Sequence, residues 1–309
     1  MDHSIFDTIG YTPVVQLQRI VPKASANVFV KLEYYNPTGS YKDRMALAMI
    51  EEAEKRGDLK QGMTVVEYTG GSTGSSLSFI CSVKGYEFQV VSSDAYAEEK
   101  LNTMKAFGAD LRIVPSVDGK ITKDLLPKMI AEAKRLAEGD NTYFTDQFHN
   151  QDELIGYAKI GEELKKQIAK PIDIFCASVG TAGMLMGVAH ALEDQPTGIV
   201  AFEPASSAVI STGVAGTHSV EGIGVGFVPP LLNLDRLQEV RAIQEKEGRA
   251  MARKLAREEG IFVGTSSGLN VAGALKLAEE LGTGKTVVTV ACDTGLKYLN
   301  GSLYKSEPA

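Results

Sequence analysis

Residues 31–44, Lys31 to Arg44, read KLEYYNPTGSYKDR and contain a predicted turn followed by a predicted helix start. Asn36 to Gly39 has turn chemistry, because proline presets φ and glycine tolerates positive φ. Ser40, followed three residues later by Asp43, is typical of a capping box, and apolar residues then recur at helical spacing. The segment therefore predicts a helix with Lys42 in its first turn.

Lys42 is a candidate for chemistry because of that position. The helix dipole opposes positive charge at a helix N-terminus, so the pKa of the Lys42 amine is expected to be lowered, which favours a neutral amine or an imine. An isolated lysine beside a helix cap is more often an ordinary exposed side chain, because short motifs recur by chance. From these residues alone, both interpretations stand.

Size and charge restrict the class of protein. A chain of 309 residues, 44% of them hydrophobic, can bury a sizeable core, and its length predicts two domains. The net charge of −7 argues against a nucleic-acid-binding protein, which needs a basic surface. No apolar run is long enough to cross a bilayer, and the first residues lack the basic start and apolar core of a signal peptide. We expect a cytoplasmic location, with no nucleic-acid or membrane partner.

The cysteines and histidines do not predict a metal or thiol centre. Cys81, Cys176 and Cys292 lie far apart in apolar or small-residue runs, which favours buried free thiols over disulfides or a zinc site. The four histidines are scattered, with no pair four residues apart. We therefore expect no metal, and catalysis that depends on a lysine with an organic cofactor.

Strand and helix patterns alternate along the chain, which predicts an α/β fold of mostly parallel sheets flanked by helices. Predicted strands cover Val28–Leu32, Thr64–Tyr68, Phe88–Ser92, Leu111–Val114, Ile172–Ser178, Gly198–Phe202, Ile261–Val263 and Thr286–Ala291. Predicted helices are the lysine helix as far as Gly57, a helix through Leu77 that Gly85 closes, Ala97–Phe107, Ile121–Glu138, Asp152–Ile168, a helix from Gly183, Gln238–Glu259 and Ser267–Leu281. The stretch Pro204–Pro230 predicts a long irregular loop, a kind of segment that is often functional.

Two glycine-rich turns follow strands and precede helices. The first is Thr69–Gly74 (TGGSTG), and the second is Ser178–Met184 (SVGTAGM). Free backbone N–H groups and the helix dipole make such a turn an anion site, and glycine lets an anion approach the backbone closely. The second turn matches neither Gly-x-Gly-x-x-Gly nor the Walker A pattern. A plain strand-to-helix turn is the alternative for both.

Together, these turns, the lysine segment and Gly222–Pro229 (GIGVGFVP) resemble segments of the cysteine synthase / cystathionine β-synthase family, pyridoxal-phosphate enzymes of fold type II. The resemblance extends from Ile9 to Leu299. It implies two domains, each an open, mostly parallel sheet flanked by helices, with the cofactor in the cleft between them. Residues 1–35 and 146–309 are expected to form the large cofactor-phosphate domain, and residues 36–145 the small mobile domain with the lysine helix and the carboxylate loop.

The resemblance also assigns roles to individual residues. It implies that Lys42 is the catalytic Schiff-base lysine and that Ser266 lies at the pyridine nitrogen, with Asp293 as the nearest rival, kept as a structural residue. Binding of pyridoxal 5'-phosphate is implied for Lys42, Ser72, Gly180, Thr181, Ala182, Gly183, Met184 and Ser266. Substrate binding is implied for Thr69, Gly70, Gly71, Ser72, Thr73, Gln147 and Gly222.

Both turns depart from the family patterns. In the carboxylate loop, usually Thr-Ser-Gly-Asn-Thr-Gly, Gly70 replaces serine and Ser72 replaces asparagine. The smaller side chains predict open space beside the cofactor, and hence a bulkier nucleophile or amino acid than sulfide and O-acetylserine; a water that fills the gap is the alternative. In the phosphate loop, usually Gly-Thr-Gly-Gly-Thr, Ala182 and Met184 are the departures.

The resemblance implies a pyridoxal-phosphate-dependent β-replacement on a serine-derived amino acid, as in cysteine biosynthesis from O-acetylserine and sulfide. A neutral hydroxyl at the ring nitrogen leaves the ring a weaker electron sink, which suits β-elimination and β-replacement. Three alternatives stay open: a related enzyme with a bulkier nucleophile, a dehydratase or desulfhydrase, and a silent binding protein of the same fold. A homodimer is expected.

Overall fold

The computed structural model describes residues 4–119, 122 and 124–305. These residues divide into two compact units: unit 1 runs to Tyr41 and resumes at Tyr157, and unit 2 is Lys42–Gly156. Both borders fall later in the chain than the predicted ones at 35/36 and 145/146. One reason is that the Gln147 N–H donates to Glu67 Oε2 (3.0 Å), which ties the segment after residue 145 to unit 2. The mobility of the smaller domain stays a prediction.

Strands and helices alternate through most of the chain. In order, the strands are β1 (Val14–Gln16), β2 (Asn27–Leu32), β3 (Thr64–Tyr68), β4 (Glu87–Ser92), β5 (Asp110–Ile113), β6 (Thr142–Phe144), β7 (Ile174–Ser178), β8 (Gly198–Pro204), β9 (Glu239–Ile243) and β10 (Thr286–Ala291). The helices are α1 (Lys42–Arg56), α2 (Ser72–Lys84), α3 (Glu98–Ala106), α4 (Leu125–Ala137), α5 (Asp152–Gln167), α6 (Gly183–Ala191), α7 (Val209–Thr212), α8 (Glu245–Lys254) and α9 (Thr265–Leu281).

Each unit is built on one sheet. Unit 1 has six strands in the order β1-β2-β10-β7-β8-β9, parallel except for the antiparallel pair β1 and β2. Unit 2 has four parallel strands in the order β5-β4-β3-β6. Since active-site loops follow the carboxyl ends of parallel strands, the turns after β3 and β7 are placed for ligand binding. The predicted α/β fold class is confirmed.

The central strand of unit 1 shows how the sequence builds this core. Every residue of β10 (TVVTVA) is buried, and the strand pairs with β2 on one side and β7 on the other. A parallel strand that is covered on both faces needs a continuous apolar, β-branched run, and this run was predicted with the observed ends.

Several predicted elements differ from the structure. The helix predicted at Gln238–Glu259 is wrong in its first part, because Glu239–Ile243 is the strand β9, which pairs with β8. The predicted strand Ile261–Val263 is also wrong, because only an isolated bridge from Val263 to Thr294 occurs there. Strand β6 was not predicted. The predicted start of α4 at Ile121 lies outside the described residues.

Candidate active site

Lys42 is the first residue of α1 and is 6% exposed, so its predicted position in the first turn is confirmed. The chain that leads into α1 is held within unit 1. The Tyr41 N–H donates to the Cys292 carbonyl (3.0 Å), and Ser40 pairs with Asp293 in an isolated antiparallel bridge. The helix begins two residues after Ser40, and the capping box stays a prediction.

The substrate-binding residues of the carboxylate loop, Thr69–Thr73, follow β3 in unit 2, and the last two of them are the first residues of α2. The Thr73 hydroxyl donates to Gln147 Oε1 (2.8 Å), and Gln147 Nε2 donates to the Tyr68 carbonyl (2.9 Å). Thr73 and Gln147 are buried and lie far apart in the sequence. The structure therefore brings together two of the segments to which substrate binding was assigned.

A buried carboxyl group supports this arrangement, and sequence analysis missed it. Glu67, in β3, is fully buried and accepts three hydrogen bonds, from the N–H groups of Tyr68 (2.8 Å) and Gln147 (3.0 Å) and from the Thr145 hydroxyl (2.7 Å). Burial raises the pKa of Glu67 to about 8, although the three donors act to lower it. The only signal in the sequence is a glutamate inside an otherwise apolar strand.

Gly70 does not open the predicted space beside this loop. A Cβ at position 70 would lie 2.7 Å from Tyr96 Cζ and closer still to Cε1, which is too close for a real contact. The ring of Tyr96 therefore already fills the volume that a side chain at position 70 would take. The prediction that Gly70 opens space beside this loop is wrong, because the ring of Tyr96 fills that volume, and sequence analysis could not place Tyr96 there. The space predicted beside Ser72 stays a prediction.

The phosphate loop, Gly180–Met184, follows β7 and includes the first two residues of α6 in unit 1. A Cβ at Gly180 would collide with the Gly222 carbonyl oxygen, so this close approach requires glycine. Ala182 is the N-cap of α6 and has a left-handed backbone with φ 74°. The loop thus has the glycine and helix start of an anion site, and Gly222, assigned to substrate, packs against it.

Ser178, which precedes this loop, is hydrogen-bonded to Asn270, a pairing that sequence analysis missed. The Ser178 N–H donates to Asn270 Oδ1 (2.7 Å), and Asn270 Nδ2 donates to the Val290 carbonyl (2.9 Å). The Ser178 hydroxyl is buried and has no hydrogen-bond partner among the residues that the structure describes. A buried hydroxyl without a partner, at the end of the strand that leads into the phosphate loop, fits a donor to a phosphate group. Asn270 could have been noticed as a polar residue in an apolar stretch of α9.

The two candidates for the pyridine nitrogen have different surroundings in unit 1. Ser266 is the second residue of α9 and is 6% exposed. Asp293 Oδ2 accepts a hydrogen bond from the Tyr298 hydroxyl (2.8 Å), and burial together with the Asp293 charge raises the pKa of Tyr298 well above its usual value. Tyr298 therefore stays a donor, and its bond to Asp293 is consistent with a structural role for that carboxylate.

The cysteines are buried free thiols, as predicted. Burial raises the pKa of Cys81 and Cys176, which makes both thiols poor nucleophiles. Within the described ranges, no group of His, Cys, Asp and Glu side chains could hold a metal ion. No helix in that part of the chain is long and apolar enough to span a membrane.

Comparison with known proteins identifies the family. A profile of the family described as pyridoxal-phosphate dependent enzymes matches residues 5–293. The chain belongs to this family. It is 41% identical to a cysteine synthase of Staphylococcus aureus. The 305 aligned residues cover 97% of this chain and 96% of that protein.

Solved structures of the family have the same fold. The crystal structure of O-ureido-L-serine synthase has a TM-score of 0.91 at 35% identity, over 100% of this chain and 98% of that one. Cysteine synthase from Entamoeba histolytica has a TM-score of 0.92 at 33% identity, over 100% of this chain and 92% of that one. The protein is therefore a pyridoxal-phosphate-dependent enzyme of the cysteine synthase type, with fold type II architecture, as the sequence resemblance implied.

Proposed function

We propose that this enzyme catalyses a β-replacement on a serine-derived amino acid, with O-acetylserine and sulfide as its substrates. The observation that carries the proposal is the hydrogen bond from Thr73 to Gln147 (2.8 Å), which joins the carboxylate loop to the second segment assigned to substrate. Donors on Thr69–Thr73 would then bind the amino-acid carboxylate.

Lys42 has two roles in this proposal. Bound pyridoxal phosphate would withdraw electrons from the α-carbon of the amino acid, so that the α-proton can be removed and a β-substituent can leave. Lys42 Nζ holds the cofactor until the incoming amino acid displaces it, and then removes the α-proton as the general base. The low exposure of Lys42, 6%, limits the access of water to this amine.

Residues of unit 1 are proposed to hold the rest of the cofactor. Gly180–Met184 bind the phosphate through backbone N–H groups and the Thr181 hydroxyl, and the buried Ser178 hydroxyl adds a donor. The neutral Ser266 hydroxyl contacts the ring nitrogen, which leaves the ring a modest electron sink that suits β-replacement. We propose that Ser72 contacts the cofactor and that Gly222 lines the path of the substrate.

One specific observation favours a second candidate. The similarity to O-ureido-L-serine synthase supports a β-replacement in which a larger nucleophile takes the place of sulfide. The ring of Tyr96 at Gly70 argues against extra space at this loop and keeps sulfide first. A homodimer and a cytoplasmic location stay predictions.

A competition assay tests the proposal. One preparation of the holoenzyme is given O-acetylserine with equal concentrations of sulfide, a larger thiol and hydroxyurea, and the amino-acid products are measured by mass spectrometry. We expect cysteine as the main product. O-ureidoserine or a larger thioether in excess would support the second candidate, and release of pyruvate alone would indicate elimination. Absence of any amino-acid product from O-acetylserine would contradict the proposal.

A further inference from the structure

We propose that Tyr96 is a specificity-determining residue of the carboxylate loop: its hydroxyl supplies the donor that Gly70 lacks, and its ring is the wall beside the amino-acid substrate. The proposal rests on the proposed function, because it assumes that Thr69–Thr73 bind an amino-acid carboxylate. It adds a residue to which the resemblance assigned no role.

The position of the phenol supports this role. The atoms of Tyr96 nearest to a Cβ at Gly70 are Cε1, Cζ and Cδ1, so one edge of the ring faces the loop backbone. Cζ carries the hydroxyl and lies 2.7 Å from that Cβ position. A serine at position 70 would carry its own hydroxyl one bond from the same Cβ. The Tyr96 hydroxyl is thus attached to a ring atom that lies within contact distance of the place where a serine side chain would begin.

A second glycine of the loop is packed in the same way. A Cβ at Gly71 would collide with the methylene chain of Lys100, a side chain that is only 3% exposed. Tyr96 and Lys100 come from one segment, the end of the β4–α3 connection and the first turn of α3. Two successive glycines thus accept two side chains from this segment, which forms a continuous wall against the loop.

The backbone holds Tyr96 in this place. The Tyr96 N–H donates to the Ser93 carbonyl (3.3 Å), and the Ala95 N–H donates to the Ser93 hydroxyl (3.3 Å). Ser93, the residue after β4, is fully buried, and the Lys100 N–H in the first turn of α3 donates to the Ala97 carbonyl (3.0 Å). These bonds fix the backbone of the short connection, and with it the point from which the Tyr96 side chain extends to Gly70.

It follows that a side chain at position 70 and the ring of Tyr96 exclude one another. The ring of Tyr96 therefore requires a glycine at position 70, and the absence of the family serine there is a consequence of this packing. Restoring the family serine alone is expected to damage the loop, and restoring it together with removal of the ring is expected to repair it. Such a coupling between two neighbouring residues can be measured by a double-mutant cycle.

The test compares five variants of the holoenzyme with the wild type: Tyr96→Phe, Tyr96→Ala, Gly70→Ser, Gly70→Ser with Tyr96→Ala, and the control Tyr86→Phe. The readouts are the melting temperature and the Kd of serine or cysteine, measured by the shift in cofactor absorbance. Tyr86 is the matched control because its hydroxyl donates to Glu54 in the same unit, away from the loop.

We expect Tyr96→Phe to raise the Kd of the amino acid about tenfold, the effect of one lost hydrogen bond to a charged group. Gly70→Ser should lower the melting temperature and weaken binding further, and the double variant should recover both to within about threefold of the wild-type Kd. Tyr86→Phe should leave the Kd unchanged.

An unchanged Kd in Tyr96→Phe, or a double variant no better than Gly70→Ser, would overturn the proposal. Its failure can be told apart from failure of the proposed function. A wild type that binds amino acids but does not convert O-acetylserine and sulfide would refute the function, while the coupling between positions 70 and 96 would still be measured.

Discussion

The carboxylate loop of unit 2 and the phosphate loop of unit 1 are both strand-to-helix turns, yet they depart from the family patterns in opposite ways. At Gly70 a side chain is missing, and the ring of Tyr96 takes its volume. At Ala182 a side chain is added where φ is 74°, a left-handed conformation that favours glycine. At Gly70 a neighbouring side chain fills the space of the missing one. At Ala182 the added side chain forces a residue other than glycine into a left-handed backbone conformation.

The difference shows how each loop works. The carboxylate loop depends on side-chain contacts, such as the bond from Thr73 to Gln147, so substitutions there should change substrate binding. The phosphate loop depends on close backbone approach, such as that of Gly180 to the Gly222 carbonyl, so substitutions there should change cofactor binding and stability.

The largest effect is expected from Lys42→Ala, which removes the amine that is proposed to hold the cofactor and to act as the general base. Turnover should fall about 10³-fold or more, since a general base alone contributes 10²–10⁴-fold. If the phosphate loop binds by itself, part of the cofactor should remain, as measured by absorbance after gel filtration. Lys55→Ala, in the same helix and on an exposed side chain, is the control and should behave as wild type. Turnover at the wild-type rate in Lys42→Ala would refute the role of this residue.

A pair of variants tests the contrast between the loops directly. Gly180→Ala should weaken cofactor binding by about tenfold or more and lower the melting temperature, because its Cβ collides with a backbone carbonyl that has little room to move. Thr73→Val keeps the shape but leaves Gln147 Oε1 without its donor, so it should raise the KM of the amino acid about tenfold at unchanged cofactor affinity. If both variants changed the cofactor affinity, or both changed only the KM of the amino acid, the proposed difference between the two loops would be wrong.

The pH dependence of stability tests the protonation state of Glu67, the buried residue of β3 that contacts the Gln147 backbone. The pKa of Glu67 is about 8 in the folded protein and 4.5 ordinarily, so between these values the folded protein retains a proton that the unfolded chain has lost. Its contribution should therefore make the free energy of unfolding fall as pH rises through this window, by up to about 1.4 kcal/mol per pH unit. The neutral carboxyl can donate to the Thr145 hydroxyl, which can donate to the Val66 carbonyl (3.2 Å).

Urea unfolding from pH 5 to 9 measures this slope. Glu67→Gln should flatten it, and Glu87→Gln, an exposed residue in the same unit, should not. A slope that is the same in the wild type and in Glu67→Gln would show that Glu67 is ionised throughout.

The smallest effect is expected at Ala182. Ala182→Gly restores the family residue at a left-handed position and should stabilise the protein by about 1 kcal/mol, because glycine adopts positive φ without strain. Thermal unfolding of the protein measures it, with Ala189→Gly inside α6 as the control, which should destabilise by a similar amount. A loss of stability in Ala182→Gly would mean that packing of the Ala182 methyl group outweighs its backbone strain.

Much of the fold could be predicted because its central strands are apolar and β-branched. The ends of β3 and β10 were predicted as observed, and Lys42 lies in the first helical turn as its cap and turn residues indicated. Strand β9 was mistaken for a helix because it lacks a continuous apolar run, and most of its residues are only partly buried. It is a strand because it pairs with β8. Such tertiary pairing overrides local preference.

The site could be predicted less completely, since its supporting contacts are long-range. Thr73 and Gln147 were named from the resemblance, but their direct hydrogen bond depends on the folding of unit 2. Tyr96 has no local signal at all, and its role follows only from its ring at Gly70. Asn270 likewise gains meaning from its bond to the Ser178 N–H.

The central claim is that Lys42 is the residue that holds the cofactor, and borohydride reduction tests it most directly. Reduction of the holoenzyme fixes the cofactor covalently to the lysine that carries it, and peptide mass spectrometry then locates the modified residue. We predict that the phosphopyridoxyl group is found on the peptide containing Lys42. Modification of another lysine, or none in a protein with bound cofactor, would contradict the account.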